Sequence, residues 1–227
     1  MFKSIFRILT VVLFCNFLFS CSGDDESGPK PYYGSVSFET QKEVDSFAAL
    51  NYTAIYGGLS LYNAEIRNLD ALENLTRING GIWIEGTSLK DVNGLENLTE
   101  FSFNSSIILW SNPELENLDG FRNLPATMGG IIIFENSKLE DIDGLSKIKF
   151  VEGKISIADN GNLTNLDGIS NVEQIKEGEK ILIWNNASLT NLCGLENIAE
   201  LGVIDLDIKD NAFNPSRQEL TDGNCSM

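Results

Sequence analysis

The 227 residues carry 33 Asp plus Glu against 16 Lys plus Arg, a formal net charge of -17; so acidic a surface repels phosphate backbones and anionic lipid and argues against a nucleic-acid partner. Hydrophobic residues make up 42% of the chain and charged residues 22%, a globular balance with enough apolar material for one domain with a real core. Histidine is absent, which removes the commonest general base, metal ligand and pH switch.

The chain opens "MFKSIFRILTVVLFCNFLFS", with Lys3 and Arg7 before an apolar run from Ile8 to Phe19. The run is too short to span a bilayer and predicts a secretory signal over residues 1–20. "LFSC" then resembles a bacterial lipobox, which implies lipidation of Cys21 and a membrane partner reached through that anchor. Phe19 departs from the small or β-branched residue usual in the pattern. The alternative is an ordinary signal peptide with a free Cys21. "SGDDESG" follows, resembling the surface-export tag of lipoproteins in some Gram-negative lineages. An outer-membrane, cell-surface location is therefore expected, with a plain solvated linker over 21–33 as the alternative and the folded domain over 34–227. Removing Cys15 with the signal and Cys21 by lipidation leaves Cys193 and Cys225, which predicts one disulfide in an exported chain.

"ETQKEVDSFAAL", residues 39–50, sets Glu43 three residues after Thr40, a capping-box pattern that predicts a short amphipathic helix covering the N-terminal end. Beyond it the chain repeats itself. "LDALENL" at 69 returns as "VNGLENL" at 92, "LDGFRNL" at 118, "IDGLSKI" at 142, "LDGISNV" at 166 and "LCGLENI" at 192, with spacings of 23, 26, 24, 24 and 26. Such a period means a solenoid. Apolar residues alternate at Leu59–Leu61, Ile82–Ile84, Ile107–Leu109, Ile131–Ile133, Ile155–Ile157 and Ile181–Ile183, predicting one short strand per coil. A second strand is expected around Leu89–Val92, Leu115–Leu118, Leu139–Ile142, Leu163–Leu166 and Leu189–Leu192, with turns at Gly86, Asn112-Pro113, Asn136 and Asn160-Gly161 between them. Leu72, Leu95, Phe121, Leu145, Ile169 and Leu195 would line one inner column and Leu75, Leu98, Leu124, Ile148, Val172 and Ile198 another. Asn74, Asn97, Asn123, Asn171 and Asn197 are expected at corners, as turn formers or a hydrogen-bonded ladder. "VIDLDIKD" supplies a last strand, and "NPSRQELTDGNC" a terminal segment held by Cys193–Cys225.

These phrases, with "GLENLTE" at 94–100, "ALENLTRINGGIWI" at 71–84 and the opening "QKEVDSFAALNYTAIYGGLSL", resemble the receptor L-domain repeats, relatives of leucine-rich repeats, from about Ser35 to Cys225. The resemblance implies an all-β, right-handed parallel β-helix, here of about six to seven coils, and a non-catalytic, ligand-binding role. "LPATMGG" in the third coil and Lys147 in the fourth depart from the pattern at local turns.

With residues alternating along each strand, Ser60, Trp83, Ile108, Ile132, Ser156 and Leu182 should form one outward row and Tyr62, Glu85, Trp110, Phe134, Ala158 and Trp184 the next. All three tryptophans then fall on one sheet. An open apolar patch of several hundred square ångströms usually serves binding. Trp83, Ile108, Trp110, Ile132, Phe134, Leu182 and Trp184 are therefore the expected contact face for an extracellular protein or carbohydrate; the alternative is that a loop, the N-terminal region or a second chain covers them. A structural spacer or assembly subunit, and a polysaccharide-active enzyme, are further alternatives. Enzyme chemistry is disfavoured because Arg67, Arg77, Arg122 and Arg217 are scattered and Asp141 and Asp143 do not converge on one site. "DIDG" at 141–144 lacks the rest of a calcium loop, and two cysteines without histidine make a poor zinc site, so neither metal nor cofactor is expected.

Overall fold

The computed structural model describes residues 29–102, 105–124, 127–202 and 205–227. The expected signal segment, Cys15 and Cys21 lie outside them. The described chain is mostly β and its sheets are parallel. One long sheet stacks eight strands: Val36–Phe38, Leu59–Tyr62, Ile82–Glu85, Ile107–Trp110, Ile131–Phe134, Ile155–Ala158, Lys180–Trp184 and Asp205–Lys209. Six of these fall where the alternating Ile and Leu residues placed them, and all run in register, each isoleucine or leucine beside its counterpart one coil away. Their inward side chains, Ile84, Leu109, Ile133, Ile157 and Ile183 among them, are fully buried.

A second side of each coil is lined by two-residue strands. Pro31–Tyr32, Ala54–Ile55, Arg77–Ile78 and Glu100–Phe101 pair in one sheet, and Thr127–Met128, Phe150–Val151 and Gln174–Ile175 in another. Pro31 and Tyr32, expected in the linker, pair with Ala54 and Ile55, so ordered structure begins ahead of the expected boundary at Gly34.

The second strand expected around Leu89–Val92 and its equivalents does not form; two isolated bridges, Asn165 to Asn191 and Asn191 to Ser226, are all the pairing found there among the described residues. Leu89 and Val92 are both fully buried, as are Leu139 and Ile142. Residues three apart point to opposite sides of a strand, so burying both requires a bend. Ahead of each such stretch the chain turns, with the Leu115, Leu139 and Leu163 amides bonded back to the carbonyls of Asn112, Asn136 and Asn160. A 3-10 turn follows in each coil, at Asp70–Leu72, Asn93–Leu95, Asp119–Phe121, Asp143–Leu145, Asp167–Ile169 and Cys193–Leu195. These turns bury the two inner columns expected from Leu72 to Leu195 and from Leu75 to Ile198.

At the stacked turns the backbones nearly touch. A Cβ on Gly94, Gly120, Gly144, Gly168 or Gly194 would fall 1.7 to 1.9 Å from a carbonyl oxygen of the preceding coil, which explains why the repeated phrase carries glycine there. The first copy, "LDALENL", carries Ala71, and beside that turn packs helix Gln41–Ala48 in place of another coil. That helix has the expected capping box between Thr40 and Glu43 and buries Val44 and Phe47.

The polar interior is a ladder of amides. Asn112, Asn136, Asn160 and Asn186 are fully buried, and each donates its side-chain amide to the side-chain oxygen of the asparagine one coil on, at 2.9 to 3.3 Å. That same oxygen accepts the backbone amide of the preceding asparagine, and each Nδ2 also donates to a strand carbonyl of the preceding coil, as Asn136 does to Leu109. Thr87 closes one end and Asn211 with Asn214 the other. The corner asparagines satisfy backbone groups, as expected: Asn97, Asn123, Asn171 and Asn197 each donate to a backbone carbonyl of the preceding coil, at 2.7 to 2.8 Å.

Cys193 and Cys225 are joined, with Cα atoms 4.8 Å apart. The bond ties the segment containing helix Arg217–Thr221 to the last 3-10 turn.

Candidate functional site

The outer face of the long sheet carries two rows set by strand register. Ser60, Trp83, Ile108, Ile132, Ser156 and Leu182 stand side by side, followed by Asp207; Tyr62, Glu85, Trp110, Phe134, Ala158 and Trp184 form the second row, followed by Lys209. All seven residues expected on the contact face are therefore on one surface. Trp83 is 37% exposed and Trp110 41%, while Ile108, Ile132, Phe134, Leu182 and Trp184 are half-buried by their neighbours.

The rings are held by specific contacts. The Trp83 indole N–H donates to Glu85 Oε2 at 2.9 Å, and the ring lies 6.2 Å from Tyr62. Trp110 and Phe134 meet edge to face at 5.3 Å, a favoured aromatic geometry. Ala158 lies in register between Phe134 and Trp184 and is only 5% exposed although it points outward. The larger side chains on either side enclose it. The Lys209 ammonium sits 3.8 Å over the Trp184 ring. The Trp184 indole nitrogen is buried and finds no hydrogen-bond partner among the described residues.

One edge of this face is acidic. The residue after each strand of the long sheet from Leu59–Tyr62 onward has a positive φ, at Asn63, Gly86, Ser111, Glu135, Asp159, Asn185 and Asp210. Glu135 accepts from the Ser111 hydroxyl and Asp159 from the Asn185 amide. At the other edge Gly58, Gly81 and Ser106 leave a shallow open groove beside Trp83 and Ile108. The register made the outward rows legible. Glu85 and Lys209, which fix the indoles at the two ends, were not singled out, because their roles depend on lateral contacts that alternation does not encode.

Away from this face the described residues hold one group of potential metal ligands. Cys193, Glu196 and Cys225 bring potential ligand atoms within 4.8 Å of one another, but the two sulfurs are bonded to each other and offer no thiolate. On the 3-10 side, partial burial raises the Asp143 carboxyl above its ordinary range, reinforced by Asp141, Asp167 and Asp119. This is a repulsive column of stacked acids, each also engaged in local turns such as that from the Asp143 amide to Asp141.

Residues 51–144 match the receptor L domain family model. The repeat phrases continue past the match, at "LDGISNV" and "LCGLENI", with the same strands and turns. No curated protein and no solved structure matches the chain.

Proposed function

We propose that this protein is a non-catalytic recognition module of the cell surface, lipid-anchored to the outer membrane through Cys21 and binding an extracellular protein or glycan on the outer face of the long sheet. Its windings form a right-handed β-helix, the hand that parallel strand connections take. The windings number about six to seven, counting one between each strand of the long sheet and the next, and helix Gln41–Ala48 closes the N-terminal end. The observation that carries the binding role is the pair of indoles left 37% and 41% exposed on a face that also carries Ile108, Ile132, Phe134, Leu182 and Trp184. Solvent-facing tryptophans on a rigid sheet are suited to contact because little side-chain freedom is lost on binding. The strongly acidic balance speaks against nucleic acid as the ligand.

The test is binding of the purified protein to arrays of extracellular proteins and glycans, with Trp83→Ala/Trp110→Ala as the comparison. A folded double variant that loses the interactions of the natural chain supports the contact face. Unchanged binding by that variant removes it. For the anchor, metabolic labelling with a radioactive fatty acid should mark the natural chain and leave Cys21→Ser unlabelled.

A further inference from the structure

We infer that the contact face takes a cationic side chain, lysine or arginine, from a basic polypeptide segment, and that Trp83, Glu85 and Trp110 form the seat for it. The inference rests on the binding role proposed for this face.

The geometry around Glu85 is the starting point. Its carboxylate lies in the second outward row, flanked in register by Tyr62 on one strand and Trp110 on the next. Trp83, two residues back on the same strand, donates its indole N–H to it. A half-buried carboxylate is thus surrounded by three aromatic rings and given one neutral donor. No described lysine or arginine makes an ion pair with it. Five acids elsewhere pair with cations of a neighbouring coil, Glu100 with Arg77, Glu96 with Arg122, Glu114 with Lys138, Glu173 with Lys149 and Asp205 with Lys180; many other described acids have no ion pair, and Glu85 differs from those in lying among aromatic rings.

The other end of the same row shows what such a place accepts. Lys209 stands in register with Trp184, and its ammonium rests 3.8 Å over that ring while lying 3.6 Å from Asp207. Aromatic face, carboxylate and cation therefore already occur together at the C-terminal end of the row. At the Trp83–Trp110 end the rings and the carboxylate are present, and no described cation lies over either indole. Lys30 over Tyr52 and Arg77 over Tyr56 repeat the preference elsewhere. The quadrupole of an exposed ring attracts an ammonium or guanidinium, more strongly where water is excluded; a carboxylate beside it adds charge-assisted hydrogen bonding.

Charge points to the partner's class. With a net of -17, and with Glu135 and Asp159 along the edge of the strip, the molecule draws basic segments toward this face and repels a second copy of itself. A neutral glycan could stack on the indoles but would leave the Glu85 charge without a counterpart.

Tryptophan fluorescence of the purified protein should be titrated with a nine-residue oligolysine and with the same peptide fully acetylated. The variants are Glu85→Gln, Trp110→Ala and, as a charge-matched control on another side of the coil, the exposed Glu116→Gln. Saturable binding of the cationic peptide is expected, weakened about tenfold by Glu85→Gln or Trp110→Ala and less than about twofold by Glu116→Gln. Equal weakening by Glu85→Gln and Glu116→Gln would mean diffuse attraction to an acidic surface and would overturn the inference. If the acetylated peptide or a neutral oligosaccharide binds as well as the cationic peptide and Trp110→Ala abolishes it, the contact face stands and the cationic seat falls. If Trp110→Ala alters the binding of no probe while the variant remains folded, both fall.

Discussion

The two faces of the long sheet are made by the same strands and obey different rules. Inward, Leu61, Ile84, Leu109, Ile133, Ile157 and Ile183 repeat one branched aliphatic shape down the stack. Outward, the adjacent row runs Tyr62, Glu85, Trp110, Phe134, Ala158 and Trp184, with no shape kept for long. A side chain facing the core meets the same surroundings in every coil, because the coils above and below present the same wall. One facing outward has only solvent and its lateral neighbours to satisfy. Monotony therefore marks what holds the molecule up, and variety marks what is available to other molecules.

Substitutions that reach the stacked interior should separate most sharply from those on the outer face. The largest effect is expected at Gly144, where an added Cβ would lie 1.8 Å from the Leu118 carbonyl oxygen; Gly144→Ala should lose about 4 kcal/mol in a urea melt, since only a backbone shift relieves the clash. Asn136→Ala comes next, at about 3 kcal/mol, because it removes the oxygen that accepts both the backbone and the side-chain amide of the buried Asn112. Within one strand the contrast can be drawn directly. Leu109→Ala opens the core and should lose about 3 kcal/mol, whereas Trp110→Ala, at a residue 41% exposed, should lose about 1 kcal/mol or less. Similar losses at the two positions would show that something covers the outer face.

The smallest effect is expected at Asp143. Its carboxyl is raised above the ordinary range by partial burial and by Asp141, Asp167 and Asp119. A raised folded-state value means that the ionised form weakens the fold, so the penalty is present at neutral pH and fades as the pH falls through the carboxylate range. Asp143→Asn, the residue type found at the equivalent Asn93, should raise Tm by about 1 °C at pH 7 and by nothing measurable near pH 2.

What the sequence made legible follows from the same distinction. Alternation over four residues located six of the strands and their register, because a one-residue error would have put isoleucines outside and charges inside. The capping box at Thr40 and the Cys193–Cys225 bond were also readable, since each depends on residue types whose chemistry is specific. The Leu89–Val92 stretch bends where a strand is expected because two apolar residues three apart suit a bend and an irregular strand equally well, and spacing alone does not decide between them. The two-residue strands at Arg77–Ile78 and Glu100–Phe101 are too short to alternate at all. On the contact face the rows of residues were legible. The hydrogen bond from Trp83 to Glu85 and the ammonium over Trp184 were not, because they arise from side-chain rotamers and not from periodicity.

The amide ladder bears on how such a molecule changes size. Each asparagine answers only to the winding before it and the winding after it, from Asn112 to Asn136 to Asn160, so nothing in the series records how many rungs there are. Excising 112–135 would set Asn136 directly after Ser111 and bring its oxygen to the place where Thr87 now meets Asn112. Whole units could thus be duplicated or dropped without rewriting the remainder, and the span of the outer strip would lengthen or shorten like a ruler cut at its marks.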